Sequence, residues 1–282
     1  MKNLRNIWQA AILFFMSSLA SAQLPDGVTA TQSFIDTIIV NYALENSFQF
    51  DIGGAGTSVT LPLNINIIMN RKGSAGVSQG DIRYGVEVAN SFFRNAGIQF
   101  FIDTIGYIND YNYSFITNNK LRNELLLKHS VNDRINIFYA DSIRIGPYTS
   151  YGFTYFPDEP DSNYIFIDKD YARGNSLTTM LGHYMGLLST HETAGGRELA
   201  NEGNCSNSGD FICDTWADPD LLNQVIDSCR YIGNTRDDIG IYYIPSVANI
   251  MSNSPDMCRC ILTPLQYRRI HYYYHRYRYY LR

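Results

Sequence analysis

The segment TTMLGHYMGLLSTHE (residues 178–192) carries the residue types of a metal-binding helix, but thinly. His183 is followed three residues later by Gly186, which can end a helix and turn the chain, and His191 and Glu192 come shortly after. Hydrolytic zinc needs about three protein ligands, commonly two histidines one helical turn apart. It also needs a carboxylate to take the proton of the metal-bound water. His183 by itself offers one ligand. On an unbroken helix His191 lies eight residues further on, ~12 Å along the axis and too far to share an ion at bonds of ~2 Å. A turn at Gly186 could swing His191 back, giving two imidazoles with Glu192 as a displaced base. The competing reading is a histidine on the inner face of a core helix, hydrogen-bonded and metal-free.

The elements that must position these groups are legible from periodicity. Apolar residues alternate at Leu61, Leu63, Ile65 and Ile67, the pattern of a half-buried strand over 61–70. Ser78 opens a helix with Asp81 in its first turn and Gly97 as its end; Ile82, Val86, Ala89 and Phe93 share one face. Strands follow at 98–108 and 134–141, with a helix between them at 119–129. Residues 152–157 read as a loop, 163–171 as a short edge strand, and 178–192 as the questioned helix. A Gly/Asn/Asp-rich stretch, 193–247, reads as irregular, and 262–282 as a closing helix. Ile270, Tyr273, Tyr274, Tyr277 and Leu281 share a face of that helix, with its arginines mainly off it. Residues 23–60 read as a leader ending in the flexible GGAG of 53–56.

All five cysteines, Cys205, Cys213, Cys229, Cys258 and Cys260, lie in the last third of the chain. Their spacing lacks paired C-x-x-C units, so a local disulfide framework is expected rather than a Cys/His metal cluster. The odd number leaves one thiol free or paired outside the chain.

Three strings in order carry a resemblance: GHYMGL (182–187), NCSNSGDFICDTWADPDL (204–221) and NIMSNSPDMCR (249–259), with GFTYFP (152–157) ahead of them. Together they resemble the pappalysin-like zinc metalloproteases of the metzincin clan, over roughly residues 61–275. That family shows H-E-x-x-H-x-x-G-x-x-H, then a GD..CDTPADP segment and a methionine turn. The resemblance implies an α/β (α+β) fold of the metzincin-like zincin type: a twisted mixed sheet over an active-site-type helix, with a disulfide-linked irregular lower subdomain. The domain would span 61–282, upper part 61–187 and lower part 188–282. It places the central zinc ligand on His183, the helix-ending glycine on Gly186 and the Met-turn methionine on Met251. The outer ligand positions hold Thr179 and Ser189, and the catalytic glutamate position holds Met180. Hydroxyls that stay protonated near neutral pH are poor zinc ligands, and a thioether is no base. The resemblance further implies bridges Cys205–Cys229 and Cys213 to Cys258 or Cys260. It also implies a calcium option at Asp210, Asp214, Asp218 and Asp220, whose plainer roles are turns and caps.

The first 22 residues read as an export signal. Lys2 and Arg5 precede a short apolar run, and Ala20-Ser21-Ala22 form a small-residue cleavage site. No later run is long and apolar enough for a transmembrane anchor. Cleavage would move the formal charge from −5 to −7, which disfavours general nucleic-acid binding despite the Arg/Tyr-rich tail. The sequence therefore points to a secreted or periplasmic pseudoprotease that binds a peptide or protein in its cleft, with no cofactor expected. The alternatives are a metallopeptidase with an altered zinc site around His183 and a structural or adhesive protein using its tail.

Overall fold

The computed structural model describes residues 25–48, 58–159 and 163–281. The export signal expected over 1–22 lies outside the described residues.

A five-stranded sheet in the order β2-β1-β4-β8-β7 forms the frame. It comprises β1 (Val59–Ile68), β2 (Ile98–Ile108), β4 (Ile135–Ala140), β7 (Gly152–Thr154) and β8 (Tyr164–Asp168). β2, β1, β4 and β8 run parallel, and β7 is antiparallel to β8. One face packs Leu61, Leu63, Ile65 and Ile67 with Ile137 and Ile167 against three helices. These are α1 (Gln32–Ser47), α2 (Gln79–Phe93) and α4 (Ser176–Tyr184), with α5 (Pro264–Tyr273) adding its aromatics to the same core. The other face packs Phe138 and Phe166 under α3 (Asn119–His129) and beside a three-stranded sheet, β3 (Phe115–Ile116), β5 (Ser142–Ile145) and β6 (Tyr148–Ser150).

Several expectations are corrected. β1 is buried on both faces rather than one. Its alternate residue Asn64 donates to Asn136 at 2.9 Å and accepts from Thr104 at 2.6 Å, so burial of the polar face is matched by hydrogen bonds. The stretch around 152–157 is not simply a loop: its first three residues form the edge strand, which puts β8 inside the sheet. α4 stops at Tyr184 because Gly186 takes φ +90°, and a Cβ there would lie 2.7 Å from the Tyr273 ring. The segment read as a leader contains α1, capped by Thr31 and burying Phe34, Ile35 and Ile38. Phe34 stacks on Phe156 with ring centroids 4.2 Å apart.

The closing helix starts in a capping box at Thr263 and Gln266 and passes into a π-helical turn over Tyr274–Arg278. Its tyrosine face is buried as expected, but its arginines do not all stay wet. Arg269 and Arg278 are buried, the latter with its guanidinium 3.9 Å from the centre of the Tyr184 ring. The disulfides are Cys205–Cys213 and Cys229–Cys258, which overturns both the implied Cys205–Cys229 pairing and the implied bridge from Cys213 to Cys258 or Cys260. Consecutive turns between 204 and 213 bring Cys205 and Cys213 to a Cα separation of 5.1 Å. Cys229 sits in the turn between β9 (Val225–Ile226) and β10 (Arg230–Tyr231), which carries it to the short helical turn Asp256–Cys258. Cys260 is free and exposed. No helix among the described residues is long and apolar enough to cross a membrane.

Candidate functional site

Every residue of α4 is buried, and His183 is fully so. Its Nδ1 lies 2.8 Å from the Leu187 carbonyl. A carbonyl only accepts, so Nδ1 carries a proton and Nε2 faces the rest of the site. There Nε2 meets Asp26 Oδ2 at 3.4 Å, and the Ser189 hydroxyl donates to the same oxygen at 3.3 Å. Phe156 closes the ring edge-on at a centroid distance of 5.7 Å. Burial is the largest influence on Asp26 and pushes its carboxyl up. The hydrogen bond and charge of His183, the charge of His191 and the Val28 N–H together outweigh it and hold the carboxyl below its usual range.

One turn earlier, Thr179 is held from another side. Its hydroxyl lies 3.2 Å from the Asn175 carbonyl and 3.1 Å from the Ile250 carbonyl, and it accepts from Arg259 Nη1 at 3.0 Å. Arg259 is buried, donates to Asp256 at 2.9 Å and to the Ile250 carbonyl at 3.2 Å, and lies near the Tyr151 ring. Burial pushes the Tyr151 phenol up to about 12, with Arg259 pulling it down and Asp26 raising it, so these groups share one enclosure. Met180 packs so closely under the edge strand that a Cβ on Gly152 would lie 2.8 Å from its sulfur. Met251 plays the same part below, its sulfur 2.6 Å from where a Cβ on Gly182 would stand. The carbonyl of Met251 accepts from Thr190 N, tying the turn to the chain that leaves Gly186.

His191 and Glu192 do not join this group as ligands. His191 Nε2 is 3.1 Å from Asn253 Nδ2. Glu192 accepts from the Thr193 and Ala194 N–H groups with one oxygen and from Ala30 N with the other, so its carboxylate is used as a clamp on the N-terminal segment. That segment follows the edge of the sheet: Gly27 N donates to the Gly152 carbonyl, and Tyr151 N donates to the Pro25 carbonyl.

These donors do not fit zinc. His183 faces a carboxylate already hydrogen-bonded twice, Thr179 holds a guanidinium, and Ser189 donates its proton to Asp26. Among the described residues, no three His, Cys, Asp or Glu side chains gather around one point. The aspartates considered for calcium are mostly engaged. Asp214 accepts from Thr263 and Leu265 N, Asp218 from Thr190 and Asp220 N, and Asp220 from Leu222 N and Asn253. Asp210 accepts from Ile212 N and Thr215 with one oxygen, while its other oxygen and Glu198 Oε1 are buried without partners. Burial, then mutual repulsion, pushes Glu198 up to about 9; burial pushes Asp210 up to about 7. A carboxyl whose folded pKa is raised keeps a proton that the unfolded chain releases, so its contribution to stability falls as pH rises from about 4 to 9. Glu198→Gln is therefore expected to raise Tm at pH 8 by a few degrees and to flatten Tm between pH 5 and 8. An unchanged pH profile by calorimetry refutes this.

Asp26, Arg259 and Tyr151 were not found by sequence reasoning. Asp26 is 157 residues from His183 with no motif around it, and Arg259 entered only as the last letter of NIMSNSPDMCR, with no role of its own.

No protein-family model matches the chain, and no curated protein matches it. Solved structures do. A promirolysin variant from Tannerella forsythia is similar at 16% identity and TM-score 0.57, covering 88% of this chain and 90% of its own. Mature Tannerella forsythia mirolysin with a cleaved peptide gives 16% and 0.51, covering 77% of this chain and 91% of its own. A further mirolysin complex gives 17% identity and TM-score 0.54 over the same shares. The chain thus has a mixed α/β fold with a twisted mixed sheet, similar to that of mirolysin, and carries two disulfides.

Proposed function

We propose that the chain is an exported, pappalysin-like metallopeptidase homologue that does not hydrolyse peptides and instead binds an extended peptide or protein segment. The observation that carries this reading is the content of the enclosure around α4. Asp26 and Ser189 face His183, Arg259 occupies Thr179, and Met180 stands where a base would be. With no carboxylate beside a metal-bound water, nothing takes the proton in the attack on a peptide carbonyl. The β7 edge supports the binding half, since the chain's own residues 25–27 already pair with it through backbone hydrogen bonds. Burial of Tyr273, Tyr274, Arg269 and Arg278 leaves only part of the tail, with Arg276, Tyr279 and Tyr280, for an adhesive role.

Purified protein, dialysed, is expected to retain well under one zinc per chain by elemental analysis and to leave casein and quenched fluorescent peptides uncut. One tightly held zinc together with chelator-sensitive cleavage would sink the proposal. Peptide-array binding that strengthens in Asp26→Ala, which loosens the resident segment, would support the ligand site.

A further inference from the structure

The tail contains HYYYH, two histidines four residues apart, which the α4 site leaves unused. Positions i and i+4 lie one above the other on a helix face, and such a pair chelates one ion when both rings turn the same way. Here they do. His271 Nε2 and His275 Nε2 are 3.0 Å apart, and the ring centroids are 4.5 Å apart. Two imidazoles bound to one metal at ~2.0–2.1 Å, with angles from square to tetrahedral, have nitrogens about 2.9–3.4 Å apart. We propose that His271 and His275 form a two-imidazole site for a borderline divalent transition ion such as Zn2+ or Cu2+, with water completing its shell.

A second observation supports this pair as ligands. His271 Nδ1 is 3.0 Å from the Ala96 carbonyl, so Nδ1 holds the proton and Nε2 presents its lone pair. In the metal-free pair His275 Nε2–H donates to that lone pair. The metal takes the place of this proton, which moves to His275 Nδ1 through water, leaving two neutral ligands. The Phe48 ring stands 5.7 Å from one imidazole and 6.1 Å from the other, shielding one side. The helix changes to π-helical winding at Tyr274, between the two ligands, a feature frequent at functional sites.

Chelator-stripped full-length protein titrated with Cu2+, and separately with Zn2+, is expected to take up one ion per chain with micromolar affinity. His275→Gln, at an exposed position, should weaken uptake at least tenfold, and His191→Gln should leave it unchanged. Nitrogen hyperfine structure from two imidazoles should appear in the Cu2+ spectrum of the parent and fall to one in His275→Gln. No uptake, or equal uptake by parent and His275→Gln, overturns the proposal. Loss of this ion on dialysis separates it from a tightly held catalytic zinc at His183.

Discussion

Glu45→Ala is expected to lower the free energy of unfolding by about 3 kcal/mol or more, the largest single-residue loss foreseen in this protein. Glu45 on α1 accepts from Arg269 Nε on α5 at 2.9 Å, and both side chains are almost fully buried. Arg269 also donates to the Asp210 carbonyl at 2.6 Å and the Phe211 carbonyl at 2.8 Å. One guanidinium therefore joins the N-terminal helix, the closing helix and the cysteine-bearing loops. Removing the carboxylate leaves a buried cation whose charge nothing nearby balances fully: Asp210 has its own carboxyl pushed up to about 7. The second oxygen of Glu45 is buried without a partner, which places the loss toward the lower end of the usual range. For a chain of this size that corresponds to a fall in Tm of roughly 5 °C. Glu45→Leu with Arg269→Met should lose less than Glu45→Ala alone, because the charge leaves with its partner. Denaturant melts showing less than about 1 kcal/mol for Glu45→Ala would remove this account.

Glu45 and Arg269 also show where the sequence stops being readable. They are 224 residues apart, and nothing local marks either. α1 itself was missed because Ile39, Val40 and Leu44 are apolar yet exposed, so no clean stripe appears in the text. Some elements with strong local signals were legible to the residue, while the strand expected over 61–70 runs Val59–Ile68. β2 at Ile98–Ile108 and α3 at Asn119–His129 match their expected spans, and Ser78 caps α2 as its type and position required. The same division runs through the site. His183, Gly186 and Met251 sit in short strings, which is what singled them out in the sequence. Asp26 and Arg259 reach the enclosure only through the tertiary fold, and they decide its chemistry. Cysteine pairing failed for a related reason, since it depends on turn and hairpin geometry that composition does not encode.

Arg259 sets up the second large effect. Thr179→His, Met180→Glu and Ser189→His restore the letters of a zinc helix, yet this triple variant is expected to hold zinc poorly. The guanidinium within 3.0 Å of Thr179 Oγ1 stands beside the first restored ligand, and Asp26 already occupies the face of the second. A unit charge near 4 Å from a cation costs roughly 4 kcal/mol at the effective dielectric of a protein interior, and a dication doubles the charge involved. Adding Arg259→Leu removes the like charge and Asp26→Ala frees the His183 ring; the lost attraction of the Asp26 anion offsets part of the gain, leaving zinc binding tighter by about three orders of magnitude over the triple variant. Asp256 tolerates the loss of Arg259 because it is half-exposed and still accepts from Asn175 N. Competition with a chromophoric chelator measures both constants, and elemental analysis fixes the stoichiometry. If the triple variant binds zinc as tightly as the quintuple one, Arg259 and Asp26 are bystanders, and the substitutions within α4 and at Ser189 alone account for the lost site. If only the quintuple variant binds, the enclosure has been rebuilt around a histidine hydrogen-bonded to Asp26, and restoring the motif without its surroundings cannot recover the metal.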